Sequence, residues 1–156
     1  MSPVLRDAPI AARLLLGLVF VAHGLNGFLN VVPQDFIPLA TSHVPDRALT
    51  FVSALVAAGY VFPLVNAIEV VAGALLLSNR FVPMALTVLA PIIVNLVAFY
   101  GVLAAVAPGG TVLAAATLGL EVYIAWTYRE AFRPLLAARP NGKPSGSQMR
   151  AEPRTA

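Results

Sequence analysis

The stretch Ile10–Val32, IAARLLLGLVFVAHGLNGFLNVV, decides the fold class. Crossing a hydrocarbon core of about 30 Å as a helix takes about 20 apolar residues. This run supplies them, with Arg13 near its start and His23, Asn26 and Asn30 further along. A polar side chain taken out of water needs a hydrogen-bond partner, so the same run raises the question of what those three residues meet.

Three more runs of this kind follow, at 60–78, 81–104 and 111–128. The chain has 156 residues, of which 59% are hydrophobic and 11% charged, and a mean hydropathy of +0.84. That is too apolar for a soluble domain of this size. The expectation is an all-α integral membrane four-helix bundle over 1–136, with little chain left for a second domain. Residues 137–156, ARPNGKPSGSQMRAEPRTA from Ala138 onward, are polar, proline-rich and without hydrophobic period. They read as a disordered basic cytoplasmic tail attracted to anionic lipid.

Prolines punctuate the spans. Pro9 is expected to open the first helix, where no donor is needed, and Pro33 to end it. Pro83 opens the third span, and Pro91, halfway along it, removes a backbone bond and predicts a kink. Between 33 and 46, PQDFIPLATSHVPD is loop-like, and RALTFVSALVAAGY (47–60) turns amphipathic and Ala-rich. A short interfacial helix in this first outer loop, with Asp46 as N-cap, is expected. The competing reading is one helix over 47–78 kinked at Pro63. The turn APGG (107–110) makes spans three and four antiparallel neighbours.

Charge sets the orientation. Nine of the ten basic residues, all except Arg47, fall where an even number of spans places one common side. By the positive-inside rule both termini are cytoplasmic. The pI of 9.8 is therefore a topology signal, and no folded basic face exists to bind nucleic acid. The first span follows Arg6 and Arg13 as a signal peptide would, but with no A-x-A-like site after it, so an uncleaved anchor is expected. Cysteine is absent, which excludes thiol exchange, thiolate metal sites, iron–sulfur clusters and thioether haem attachment.

Counting down from the outer end of each span at about 1.5 Å per residue places His23, Glu69, Asn95 and Glu121 at one depth, roughly 13–15 Å in. Asn26 and Asn66 sit a turn nearer the outside, on the faces of His23 and Glu69. Ionised side chains at that depth are costly and must face inward with partners. No basic residue lies there, so shared protons are expected rather than ion pairs. Four uses compete for this layer: helix–helix hydrogen bonding; a quinone-like ligand held by His23 and a glutamate; a metal site from His23, Glu69 and Glu121, disfavoured for want of Glu-x-x-His pairs; and a proton or ion pathway. No intrinsic cofactor and no resident metal are expected; quinone is the candidate ligand.

Tyr60 and Phe62 at one interface, and Tyr123, Trp126 and Tyr128 at the other, read as anchors, with Tyr123 the one expected to turn inward. Asn30 reads as reaching the outer headgroups, and His43 as a solvated loop residue. Gly17, Gly24, Gly73 and Gly119 would let a neighbouring helix approach the bundle's outer surface.

The segments ARLLLGLVFVAHGLNGF (12–28), GYVFPLVNAIEVVAGALLLSNRFVPMAL (59–86), LAPIIVNLVAFY (89–100) and LEVYIAWTYREAFRPL (120–135), in that order, resemble the DoxX family of small four-helix bacterial membrane proteins. That family is related to the membrane subunit of a thiosulfate:quinone oxidoreductase, and some members are linked to membrane oxidoreductase assemblies and oxidative-stress handling. The resemblance implies the four-helix fold and a small membrane subunit of an oxidoreductase or electron-transfer assembly, not catalytic on its own. The alternative is an accessory subunit packed against a larger respiratory or photosynthetic complex. Membrane lipid, other subunits or further copies of the chain are the expected partners. Where members often carry a basic residue, this chain has Gly27.

Overall fold

The structure, a computed structural model, describes residues 3–31, 45–104 and 108–136, and among these every regular element is helical. Helix α1 is Pro3–Leu29, α2 Asp46–Ala57, α3 Val61–Leu77, α4 Val82–Ala98, α5 Pro108–Thr127 and α6 Arg129–Leu136. Asp7–Leu29, Val82–Leu103 and Gly109–Thr127 are each long and apolar enough to cross a membrane, and α2 with α3 makes a fourth candidate if the bent pair is one span. The segments around His43 and beyond Leu136 lie outside the described residues.

Element ends differ from expectation in instructive ways. Pro9 lies inside α1, which begins at Pro3. At its other end α1 stops at Leu29, before Pro33, because Asn30 turns left-handed (φ 47°) and its N–H still donates to the Asn26 carbonyl at 2.8 Å. Asn tolerates that conformation, so it can end a helix. Asp46 is the first residue of α2 rather than its cap: Pro45 holds the cap position, and the carboxylate lies in the first turn, where the helix dipole favours it.

The axes of α2 and α3 are bent by 86°. The bend falls at 58–60, where Gly59 adopts φ +75°, and not at Pro63, which sits in the first turn of α3 where no donor is missed. A Cβ at Gly59 would meet nothing within 4 Å, so only the backbone resists substitution. Gly59→Ala is expected to cost about 1–2 kcal/mol and Gly59→Asn clearly less, measured by thermal unfolding in detergent; equal losses would argue against the left-handed corner. Across the corner, Phe51 of α2 packs on Phe99 with ring centroids 6.1 Å apart, and the Arg47 Nε–H donates to the Leu103 carbonyl at 3.4 Å.

The turn from α3 to α4 closes with two bonds, Asn79 N–H to the Leu76 carbonyl (3.2 Å) and Arg80 N–H to the Leu75 carbonyl (3.0 Å), around Asn79 at φ 57°. This is the Schellman arrangement, with Asn in place of the usual glycine. Helix α4 continues through Pro91 to Ala98 and ends in a π turn, Phe99–Leu103, in which the Ala104 N–H reaches back five residues to Phe99.

Helix α1 packs along α3, α3 on α4, α4 on α5, and α5 back on α1. Leu16, Phe20, Leu76, Leu86, Leu89, Ile93 and Ile124 fill the centre. The outward faces are equally apolar, with Leu18, Val71, Val94 and Val122 all exposed, a surface compatible with a multi-pass membrane protein. The α1–α3 contact is the tightest. A Cβ on Gly73 would lie 2.8 Å from the Gly17 carbonyl oxygen and one on Gly17 3.0 Å from that of Gly73, so two backbones touch there. Gly17, Gly24 and Gly73 are thus spent on the chain's own packing and do not open its outer surface; Gly119 has nothing within 4 Å of its Cβ position.

Candidate functional site

On α3 the buried residues Asn66, Glu69, Ala72, Gly73 and Leu76 recur every three to four positions, the spacing of one helix face. That face meets α1 where Gly24 and Gly27 leave room. A Cβ at Gly24 would sit 2.6 Å from the Asn66 carbonyl oxygen and 3.1 Å from the Glu69 Cβ, and a Cβ at Gly27 would overlap the Asn66 carboxamide. The close approach brings His23 to Glu69, and the imidazole Nδ1 and carboxyl Oε2 share a proton across 2.7 Å.

The pair is asymmetric. Glu69 is buried, with 4% of its side chain exposed, whereas His23 is 66% exposed. The carboxyl fixes the ring through Nδ1, leaving Nε2 directed away from Glu69 as a second donor or acceptor for an outside group. A histidine oriented by a buried carboxyl is a common device for holding or passing a proton.

The other polar residues of the expected layer divide. Asn66 is buried beside Glu69 and Asn26 is half-buried. Glu121 is buried on α5, and its Oε1 has no hydrogen-bond partner among the described residues. Thr117, one turn earlier, directs its hydroxyl to the Leu113 and Ala114 carbonyls of its own helix. Asn95 does not join the cluster: it is exposed on α4, whose inward face is Ala85, Leu86, Leu89 and Ile93. No three His, Asp or Glu side chains among the described residues converge as metal ligands.

Of the aromatic residues, Tyr60 and Trp126 are exposed, and Trp126 carries the Arg129 guanidinium 5.7 Å from its ring centre. Tyr123, expected to turn inward, is also exposed. Tyr128 turns inward instead, packing on the core and donating to Asn79 Oδ1 at 3.3 Å. The reason is helical phase, since Thr117, Glu121 and Ile124 share the buried face of α5, Tyr128 just past its end continues that spacing with its N–H on the Ile124 carbonyl, and Tyr123 falls off it.

The sequence marks Arg13 only as a topology charge; the structure gives it a second role. It is buried, and its guanidinium donates to the Leu76 carbonyl near the C-terminal end of α3, where the helix dipole favours a cation. An arginine inside an apolar run is the one signal that could have found it. A groove of about 260 Å³ also runs between α3 and α4, lined by Ala67, Ile68, Val71, Leu75, Met84 and Val88 among others. Its apolar lining offers no polar group to orient a ligand.

Comparison with protein-family models, curated proteins and solved structures finds no match.

Proposed function

We propose that the chain is a four-span bundle in a bacterial inner membrane with both termini in the cytoplasm, and that it serves as a small subunit of an oxidoreductase or electron-transfer assembly. In this reading it contacts a quinone through His23 and Glu69. The topology is supported by the clustering of positive charge: the Arg13–Leu76 and Tyr128–Asn79 bonds bring the start of α1, the α3–α4 turn and the end of α5 together. That end therefore gathers Arg13, Arg80, Arg129 and Arg133, while Arg47 lies at the other. In this placement α2, at 86° to α3, lies along the outer interface.

The observation that carries the ligand is the exposed imidazole held by a buried carboxyl. Nε2–H donates a hydrogen bond to a carbonyl oxygen arriving from the bilayer. When two electrons from a partner subunit reduce the ring, the Nε2 proton passes to that oxygen while Nδ1 takes up the proton held by Glu69, and the second proton arrives with the electrons through the partner. The resemblance of the segments to the DoxX family supports the same assembly. Lipid extracted from the purified full chain is expected to contain quinone, and Glu69→Gln and His23→Ala each to lower the bound amount about tenfold, the worth of one charge-assisted hydrogen bond. Absence of quinone from the wild type would overturn this part of the reading.

An accessory subunit is the second reading, and Gly119 favours it, because an exposed position with open space around it admits another protein's helix. Mass spectrometry of material isolated in mild detergent separates the two: a co-purifying complex without quinone supports the accessory role.

A further inference from the structure

Met84, Val88, Pro91, Asn95 and Ala98 follow one another along α4 at alternating steps of four and three residues, and all five are exposed. That period is the one by which two helices keep a continuous seam against each other. The opposite face of α4 is occupied within the chain by Ala85, Leu86, Leu89 and Ile93; Met84 and Val88 form the α4 wall of the groove beside α3, and no described residue covers Pro91, Asn95 or Ala98. Its central members carry its polarity. The Asn95 carboxamide has no hydrogen-bond partner among the described residues, and Pro91 supplies no N–H to the carbonyl of Thr87. In the membrane placement proposed above, on which this inference rests, Asn95 lies near mid-depth, where neither water nor headgroups can satisfy an amide.

We infer that this face of α4 is the contact surface between two copies of the chain, with the two Asn95 carboxamides bonded to each other across a two-fold axis. A second copy is favoured over another partner by the chemistry of the group. A carboxamide carries donor and acceptor together, so it complements itself, and at a two-fold axis each residue meets its own counterpart. The seam bears no charge that would call for a different, oppositely charged partner. A single asparagine at such a position is also a known means of setting register and oligomeric state.

The absence of cysteine from the chain makes the test direct. Val88→Cys and Ala98→Cys on the seam, with Leu15→Cys on α1 and Val122→Cys on α5 as exposed controls, are introduced singly into the full chain. Membranes are oxidised with copper phenanthroline and resolved without reductant. The seam positions are expected to give about tenfold more dimer than the controls, and Asn95→Leu in the Ala98→Cys chain to lower the yield about fivefold while Asn95→Gln retains most of it. Equal yields at all four positions, insensitivity to Asn95→Leu, or cross-linking of Ala98→Cys only to a different protein would overturn the inference. Alkaline carbonate washing distinguishes the two levels: a chain that leaves the membrane pellet refutes the membrane placement, and one that stays but does not cross-link on the seam refutes the dimer alone.

Discussion

Gly24→Val is expected to lower stability by about 3 kcal/mol, the upper part of the range for overpacking a close contact, and to part His23 from Glu69. What a side chain at Gly24 meets is backbone, since the Asn66 carbonyl oxygen lies 2.6 Å from the Cβ position with the Glu69 Cβ at 3.1 Å. A carbonyl cannot move aside without moving α3. Gly27, one turn later, is the control. There the obstacle is the end of the Asn66 side chain, which a change of rotamer can relieve, so Gly27→Ala is expected to cost about 1 kcal/mol. On an Asn66→Ala background that cost disappears, and the double-mutant cycle reads the coupling directly. Thermal unfolding of the four variants in one detergent checks the ranking; equal losses at positions 24 and 27 would show that the seam is not limited by backbone. A basic residue at position 27 therefore requires Asn66 to give up its place.

Arg13→Met is expected to lower stability by about 2 kcal/mol, because a hydrogen bond to a charged group contributes about 1.5–3 kcal/mol and its loss leaves a buried acceptor short of a partner. The flexible Met chain keeps much of the packing, so the variant isolates the guanidinium. Arg13→Lys should fall between the two, since a lysine offers a point charge where the guanidinium offers a fork. Melting temperatures in the order wild type, Lys, Met are the expected result, and a Met variant as stable as the wild type would mean that the bond to Leu76 contributes nothing. In the proposed membrane placement the same residue then has two physical uses, as a topology charge and as the cap of a helix not its own.

What the sequence made legible was position along each helix; what it left dark was direction around it. The bounds 60–78 and 81–104 differ by only a residue or so from α3 and from α4 with its π turn, because polar turn residues and prolines bracket apolar runs. Counting depth brought His23 and Glu69 to one level, and the structure joins them. The same count put Asn95 there too, yet it lies on the outer face. In a soluble helix the polar face reveals which side is out; here the inward Ile93 and the outward Val94 are equally apolar, so hydrophobic period carries no azimuth. The glycines show the same limit. Gly73 and Gly119 look alike as letters, and only the packing reveals that one lies against another backbone while the other faces open space.

The π turn at Phe99–Leu103 gives α4 two angular frames. Up to Ala98 each residue advances by about 100° in one helical phase, and the extra residue in the wide turn sets everything after it back by about one step. Phe99 against Phe51, Tyr100 against Gly110 and the Leu103 carbonyl before Arg47 all belong to the second frame. A descendant of this chain that lost one residue here would keep the Asn95 face intact and still turn that whole end of α4 away from α2, so the two halves of the helix are free to diverge on separate histories.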